Sequence, residues 1–306
     1  MDIRRGWALL AIVVLALAGC SGPSDQPTPT PTPSDSTVDG SIQLTVGSRP
    51  VALRVPPGYN PATAAPLLIL LHGYSSNGSA QEGYLKFGGE ADKRGVLYAI
   101  PDGTPDSRNN RFWNATDACC NLYGSTVDDV AFLVDVVKAV AAKYTVDTRR
   151  VYLFGHSNGA FMSFRMACDQ AGVFTAIAAL NGAMENNVSD CRPSRPVSVL
   201  NIRATNDNTI VNSGGQINGN TYPSTAQTVA DWVQLDACQA TPQTRPEPLD
   251  LESAVSGPET TVASYPGCAG GSRVELWTIQ GSGHVPAFTA AFAPAVFDFL
   301  LASSAA

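Results

Sequence analysis

The sequence predicts an α/β fold with a mostly parallel, doubly wound sheet. Short runs of almost entirely apolar residues recur along the chain, as expected for strands that are buried on both faces of a sheet. Segments with helical spacing alternate with these runs, and this alternation is typical of parallel sheets. The part from Gly40 to Ala306 is long enough for one domain with a full core, and its sequence shows no second linker and no internal repeat.

The predicted elements follow one another along this domain. Residues 41–46 and 51–55 alternate apolar and polar side chains across a turn that contains glycine, which predicts an antiparallel hairpin at a sheet edge. Buried strands are predicted at Pro66–Leu71, Val96–Ile100, Val151–Phe154, Phe174–Leu180, Val197–Ile202 and Val274–Ile279. Helices are predicted at Val127–Lys143 with Asp128 as N-cap, at Ala160–Asp169, at Thr225–Ala237, and from about Ala287 to Leu301.

The pentapeptide Gly155-His156-Ser157-Asn158-Gly159 lies between a predicted strand and a predicted helix. In this context a G-x-S-x-G pattern predicts a nucleophile elbow, a sharp turn that exposes the serine hydroxyl at the strand end. The two glycines lie where a Cβ would collide as the strand packs against the helix. For the pentapeptide alone, a glycine-rich turn that merely links a strand to a helix is the alternative.

A serine hydroxyl needs an adjacent base to act as a nucleophile at neutral pH. The chain has three histidines. His156 is bonded to Ser157, so its side chain should leave the elbow in another direction. His72 ends an apolar run and is interpreted as support for the loop that it begins. His284 follows the last predicted strand on a glycine-rich loop, where α/β-hydrolases place the base, and it is the predicted base.

The predicted acid is Asp207. An acid must orient the base, and this fold uses the order serine, acid, histidine along the chain. Asp207 lies in the loop after the strand Val197–Ile202, whereas Asp231 and Asp236 lie in a predicted helix and are weaker candidates.

The predicted oxyanion hole consists of two backbone N–H groups, because two such donors can stabilise the developing negative charge. One belongs to Asn158, at the start of the elbow helix. The other belongs to Tyr74, in the loop after the strand that ends at Leu71.

These motifs together resemble the polyhydroxybutyrate depolymerase and feruloyl esterase group of α/β-hydrolases, which includes the LpqC-like secreted esterases. The resemblance covers nearly everything from Gly40 onward. It rests on the segments Leu71-His72-Gly73-Tyr74, Arg111-Phe112-Trp113-Asn114, Asp128-Asp129-Val130-Ala131-Phe132, Gly155-His156-Ser157-Asn158-Gly159, Thr205-Asn206-Asp207 and Gly281-Ser282-Gly283-His284. It implies Ser157 as nucleophile, Asp207 as acid and His284 as base.

The chain departs from the pattern of this group at several positions. Many relatives have His-Gly-Thr where this chain has Arg203-Ala204-Thr205, Trp-Pro where it has Val285-Pro286, and Cys in place of Tyr74. These departures leave the three predicted catalytic residues intact and leave the identity of the ester open. The resemblance also implies that Trp113 contacts the substrate near the acyl site, with a tryptophan of the core or rim as the alternative. Asp128 and Asp129 match the pattern of the group as well, but they are interpreted as caps of a helix.

No separate lid domain is predicted. The gap between the strands that end at Leu180 and begin at Val197 is too short for a helical lid. The larger insertion, Asn208–Arg273, falls between acid and base and can form one rim of an open cleft.

The cysteine count after Cys20 is even, which in an exported protein suggests disulfides. Zinc is the competing interpretation, but the sequence shows no cysteine or histidine pair at ligand spacing, so no metal and no cofactor is expected. The resemblance implies the pairs Cys168–Cys191 and Cys238–Cys268. Cys119 and Cys120 are then left as a vicinal pair.

The N-terminus predicts export and attachment to a membrane. Residues 1–19 have the charged-then-apolar layout of a signal peptide, and their end together with Cys20 resembles the lipobox of bacterial lipoproteins. The alternatives are an ordinary signal peptide with a nearby cleavage site and an uncleaved anchor. Residues 20–39 are rich in proline, threonine and serine, which predicts a lipidated cysteine followed by a disordered tether to the catalytic domain at 40–306.

The predicted function is a membrane-anchored serine esterase that acts on carboxylic esters. The ester is of the polyhydroxyalkanoate type or a feruloyl or acetyl ester, and it can be polymeric. The formal net charge of −7 with no basic patch argues against a nucleic-acid partner, and a monomer is expected. The alternatives are another acyl-transfer enzyme, such as a peptidase or mycolyl-type transferase, and a non-catalytic surface binding protein.

Overall fold

The computed structural model describes residues 40–305, which contain a twisted ten-stranded sheet with helices on both faces. The strands are β1 Ser41–Val46, β2 Arg49–Arg54, β3 Ala65–Leu71, β4 Leu97–Pro101, β5 Thr104–Pro105, β6 Arg111–Phe112, β7 Val146–His156, β8 Ala176–Leu180, β9 Ser198–Ala204, β10 Gly215–Ile217, β11 Asn220–Tyr222, β12 Gln243–Thr244, β13 Thr260–Tyr265 and β14 Val274–Ile279. The helices are α1 Gly78–Leu85, α2 Phe87–Arg94, α3 Asp129–Ala141, α4 Asn158–Asp169, α5 Thr225–Leu235 and α6 Phe292–Leu301.

The sheet has the order β1-β2-β4-β3-β7-β8-β9-β14-β13-β12. The six strands from β4 to β14 in this order are parallel to one another, and antiparallel strands complete both edges. The predicted mostly parallel α/β sheet is therefore confirmed, and the predicted edge hairpin is β1–β2. Two short hairpins, β5–β6 and β10–β11, lie outside this sheet.

The parallel strands are buried on both faces of the sheet because most of their side chains are apolar. Every residue of β3, β8 and β9 is buried. One face packs against α3, α4 and α5, and the other packs against α2 and α6. Each large apolar side chain buried in this way contributes roughly 1.5–3 kcal/mol to stability.

Most predicted elements occur with small shifts at their ends. β14 has the predicted bounds, and Asp128 caps α3 by accepting a hydrogen bond from the N–H of Ala131 at 2.9 Å. The last helix begins at Phe292 rather than at about Ala287. The reason is that residues 287–289 pair with residues 251–253 as a short antiparallel bridge and are not available for a helix.

Apart from the two short hairpins and the 3₁₀ turns, four helices and strands were not predicted. α1 and α2 are short helices between β3 and β4. β12 and β13 come from the insertion Asn208–Arg273 and extend the sheet beyond β14, so this insertion contributes to the sheet as well as to the surroundings of the site. The strand β13 pairs with β14 along its whole length, which is a long-range interaction that the spacing of its own residues does not reveal.

The region between β8 and β9 contains a single 3₁₀ turn, Val188–Asp190, and no α-helix among its described residues. This agrees with the expected lack of a lid domain at that position. Within residues 40–305, none of the helices combines the length and the apolar character that crossing a bilayer requires. The predicted signal peptide, Cys20 and the tether lie outside the described residues.

Three disulfides are present in the described part of the chain. They join Cys168 to Cys191, Cys238 to Cys268, and Cys119 to Cys120. The first two are the pairs that the resemblance implies, and the third is the vicinal pair left over. The first bridge ties the end of α4 to the loop before β9, and the second ties the end of α5 to the loop before β14.

The sheet order explains why distant residues can meet. β3, β7, β8, β9 and β14 are neighbours in the sheet and run in the same direction, so their carboxyl ends lie at one edge. Ligands and active sites in open α/β sheets lie outside the carboxyl ends of the strands. The predicted catalytic and oxyanion-hole residues lie where the chain leaves β3, β7, β9 and β14, whereas Trp113 follows β6.

Candidate active site

Ser157 lies in a backbone conformation that L-residues rarely adopt, with φ of 55° and ψ of −119°. Its N–H donates to the carbonyl oxygen of Leu180 at 2.9 Å, and α4 begins at the next residue. A Cβ on Gly155 would lie 2.0 Å from the carbonyl oxygen of Gly159, and one on Gly159 would lie 2.3 Å from that of Leu71. Close backbone packing therefore requires both glycines and keeps Ser157 in its strained turn.

The structure brings Ser157, His284 and Asp207 together from the ends of three strands. His284 Nε2 lies 2.9 Å from Ser157 Oγ, and His284 Nδ1 lies 2.8 Å from Asp207 Oδ2. The hydrogen-bond arrangement assigns the proton to Nδ1, which donates to the carboxylate, so Nε2 can accept from the serine hydroxyl. Their catalytic roles remain predictions at this point.

Asp207 is 3% exposed and is held as a carboxylate by several donors. Its Oδ1 accepts from the N–H groups of Thr209 at 2.8 Å and Ile210 at 2.9 Å, while Oδ2 faces His284. Burial alone would raise the pKa of Asp207, but the hydrogen bonds from His284 and from these two backbone groups outweigh it, and the pKa lies below its ordinary value.

The backbone of His284 is also fixed. Its carbonyl oxygen lies 3.0 Å from His156 Nε2 and accepts from the side-chain amide of Asn181 at 2.9 Å. Burial and, to a smaller extent, the neighbouring His284 lower the pKa of His156 to about 4, so His156 stays neutral and donates from Nε2. Its ring binds the backbone of His284, whereas Ser157 Oγ faces the imidazole of His284.

His72 lies beneath the loop that follows β3 and is fully buried. Its Nδ1 donates to the carbonyl oxygen of Gly73 at 2.7 Å, and its Nε2 accepts from the N–H of Gly103 at 2.9 Å. Burial lowers the pKa of His72 to about 4, which keeps one ring nitrogen free of a proton and able to accept. His72 thus joins the loops after β3 and β4, in agreement with its interpretation as a structural residue.

The two N–H groups predicted to form the oxyanion hole belong to residues at or near the elbow. Gly73, directly before Tyr74, is so close that a Cβ there would lie 3.3 Å from Ser157 Cβ. Asn158 directly follows Ser157 at the first turn of α4. Among the described residues, neither the Tyr74 N–H nor the Asn158 N–H has a hydrogen-bond partner, so both remain able to donate.

Trp113 does not lie where a substrate could reach it, so the predicted substrate contact is wrong for this structure. The residue is fully buried, and its indole N–H donates to the carbonyl oxygen of His72 at 3.0 Å. Its backbone N–H and carbonyl oxygen pair with the side-chain amide of Asn158 at 2.7 and 3.0 Å. Trp113 therefore supports the loop after β3 and the start of α4 from below.

Asp129 is a second correction, because it does not cap α3. It is buried, forms an ion pair with Arg49 at 2.6 Å, and accepts from the N–H of Asn114 at 2.8 Å. The guanidinium of Arg49 also lies over the ring of Phe132. Asp129, the first residue of α3, thus links the backbone of Asn114 to Arg49 on β2.

Sequence reasoning missed two residues that hold the site. Asn181, directly after β8, binds the carbonyl oxygen of His284 with its amide nitrogen and the N–H of Ala204 with its amide oxygen. The buried guanidinium of Arg203 donates to the carbonyl oxygens of Gly182 and Ile210, and burial lowers its pKa to about 10. Their position at the carboxyl ends of β8 and β9, beside the elbow strand, is the one sequence signal that could have identified them.

The sequence model of the Esterase PHB depolymerase family matches residues 50–238, which is more than half of the chain. The chain belongs to this family. Membership places it among the carboxylic ester hydrolases, as predicted, and confirms the resemblance seen in the sequence motifs.

Individual relatives agree with this placement. Feruloyl esterase B of Piromyces equi is 29% identical over 244 residues, which cover 77% of this chain and 42% of that protein, so the chain spans less than half of this relative. Feruloyl esterase C of Emericella nidulans is 26% identical over 234 residues, 73% of each protein. The structure of acetyl xylan esterase from Aspergillus awamori has a TM-score of 0.60 at 15% identity, covers 85% of this chain and 98% of its own, and shows the same fold.

The lowered pKa of Asp207 predicts a pH dependence of stability. The ionised carboxylate contributes stability that is fully present above the unfolded aspartate pKa of about 4 and is lost as the pH falls through the lower pKa of the folded protein. Asp207→Asn cannot ionise, so its free energy of unfolding should fall less than that of the wild type between about pH 4 and pH 2. Urea titrations across this range measure both slopes, and equal slopes would contradict the prediction.

Proposed function

We propose that the chain is a serine esterase in which Ser157 is the nucleophile, His284 the general base and Asp207 the residue that orients the base. The observation that supports this most directly is the line from Ser157 Oγ through His284 to Asp207, with separations of 2.9 and 2.8 Å, at a strained elbow. A hydroxyl, a neutral imidazole and a buried carboxylate in this order suit nucleophilic attack on a carbonyl carbon.

The reaction proceeds in two halves. Ser157 Oγ attacks the ester carbonyl carbon while His284 Nε2 takes the hydroxyl proton, and the N–H groups of Tyr74 and Asn158 donate to the oxyanion. The bond from the carbonyl carbon to the alcohol oxygen then breaks, and His284 returns the proton to the departing alcohol. Water attacks the acyl-enzyme with His284 again accepting the proton, which passes back to Ser157 as the acid leaves.

Asp207 contributes by stabilising the imidazolium that forms in both halves. Its carboxylate is already desolvated and is held by the N–H groups of Thr209 and Ile210, so little reorganisation accompanies the proton transfer. Preorganised groups of this kind act more strongly in a buried site than in water.

The proposed substrate class is a carboxylic ester of the polyhydroxyalkanoate type or a feruloyl or acetyl ester. The family description supports the first, and the names of the relatives, two feruloyl esterases and a bifunctional acetylxylan esterase/xylanase of Neocallimastix patriciarum, support the second. A panel of p-nitrophenyl esters, methyl ferulate, acetylated xylan and short-chain polyester distinguishes these classes by their values of kcat/KM.

Removal of the nucleophile or the base should abolish hydrolysis. Ser157→Ala and His284→Ala should each lower kcat by about 10⁴-fold or more, because members of such a triad act as a unit. Ser213→Ala, at an exposed serine, should keep the wild-type rate. A fluorophosphonate probe should label the wild type and Ser213→Ala but not Ser157→Ala. Labelling of the Ser157 variant, or a rate within tenfold of the wild type, would show that another residue is the nucleophile or that the chain is a binding protein.

We further propose that the cleft is open. The stretch from β8 to β9 holds only the turn Val188–Asp190, which supports this proposal. The initial rate of hydrolysis of a short-chain ester should therefore rise smoothly as the ester concentration passes the critical micelle concentration. A sudden increase in rate at that concentration, as seen for lipases with a mobile lid, would contradict the open cleft.

For the N-terminus we propose export with lipid attachment at Cys20. The three disulfides are consistent with an oxidising compartment outside the cytoplasm. Cys20→Ser removes the thiol that would carry the lipid, so this variant should be found in the soluble fraction or remain unprocessed, whereas Ser21→Ala should stay with the membrane. Fractionation with and without detergent measures the difference. A processed Cys20→Ser chain that still needs detergent would rule out this anchor.

A further inference from the structure

Glu252 is a buried carboxylate that the proposed reaction does not use. It is 2% exposed and lies in the insertion between acid and base. Its donors are the hydroxyl of Ser282, the N–H of Ala287 at 2.9 and 3.0 Å from the two oxygens, and the N–H of Ala254 at 3.0 Å. All three donors are neutral, and no lysine or arginine of the described residues forms an ion pair with Glu252.

Two of these donors lie on either side of His284 in the sequence. Ser282 precedes His284 by two residues and Ala287 follows it by three, so one carboxylate binds the His284 loop on both sides of the imidazole. A buried polar group is retained at a cost unless it is hydrogen-bonded, so these donors stabilise the buried side chain of Glu252 in this position.

Backbone pairing reinforces the same contact. Ser253 donates from its N–H and its hydroxyl to the carbonyl oxygen of Ala287, each at 2.7 Å. The N–H of Thr289 donates to the carbonyl oxygen of Leu251 at 2.8 Å, and its hydroxyl donates to that of Asp250 at 2.9 Å. The segment 250–253 is thus laid along the segment 287–289.

Ser282 also connects the Glu252 contact to the loop that carries Asp207. Its carbonyl oxygen accepts from the N–H of Asn206 at 2.9 Å, directly before Asp207. A displacement of Ser282 would therefore change the position of the base relative to both the nucleophile and the acid.

We propose that Glu252 is a positioning residue that holds the His284 loop so that Nε2 stays within hydrogen-bond distance of Ser157. This inference rests on the proposed function of His284 as the base. The side chain of Glu252 is buried and binds Ala254, Ser282 and Ala287 rather than Ser157 or the imidazole of His284, so its loss should change kcat more than KM.

The test compares Glu252→Leu with Glu259→Leu. Glu259 is a second buried glutamate of the same region, but its side chain accepts from Leu251 and Thr260 and makes no hydrogen bond to the His284 loop. Glu252→Leu should lower kcat by ~10- to 10²-fold with little change in KM, as expected when a base is displaced by a fraction of an ångström. Glu259→Leu should lose comparable stability in urea titrations and keep the wild-type kcat.

Two milder variants keep the test decisive if Glu252→Leu fails to fold. Ser282→Ala removes one of the two attachments of Glu252 to the His284 loop, the hydrogen bond from the Ser282 hydroxyl, and should lower kcat less than Glu252→Leu. Glu252→Gln keeps the shape and one acceptor oxygen, so it should restore most of the activity. The effects of Ser282→Ala and the Glu252 variants should be non-additive, because they break one shared interaction.

The outcomes separate this inference from the proposed function. If His284→Ala is inactive while Glu252→Leu, or Ser282→Ala where the first does not fold, keeps kcat within twofold, Glu252 has only a structural role and the inference is wrong. Equal losses of kcat in Glu252→Leu and Glu259→Leu would lead to the same conclusion. If His284→Ala itself stays active, the assignment of the base fails.

Discussion

The contact of three backbone segments at the elbow is the constraint on which the site depends. Gly155 lies against Gly159, and Gly159 lies against the carbonyl group of Leu71, at distances that leave no room for a side chain. Because β7, α4 and the end of β3 approach so closely, Ser157 is held with a positive φ and its hydroxyl points out of the turn. The same approach brings the loop with Tyr74 beside the hydroxyl.

Buried neutral histidines stabilise this arrangement without adding charge. Burial lowers the pKa of both His72 and His156 to about 4. The neutral ring of His72 donates from Nδ1 and accepts at Nε2, and that of His156 donates from Nε2. A protonated His156 would place a positive charge beside His284 and disfavour the imidazolium that the proposed mechanism needs. Burial therefore supplies rigidity and removes a competing charge at the same time.

The insertion Asn208–Arg273 supports both the sheet and the loop that carries His284. Its strand β13 pairs with β14, and its segment 250–253 pairs with the chain after His284. The loop that carries the proposed base is thus held by His156 and Asn181 at the carbonyl group of His284, and by Glu252 at Ser282 and Ala287. A loop of glycine, serine and glycine before His284 has little rigidity of its own, so its position depends on these neighbours.

The parallel sheet and the elbow could be predicted from the sequence, because apolar periodicity and a glycine-framed serine are local patterns, and the order of nucleophile, acid and base is a prediction from the same motifs. The roles of Trp113 and Asp129 depend on three-dimensional packing, since a buried scaffold residue and a cleft residue have the same local pattern. Asn181, Arg203 and Glu252 belong to no motif, although Asn181 and Arg203 lie at the ends of predicted strands. Their partners lie far along the chain, and only the sheet order brings those partners within hydrogen-bond distance.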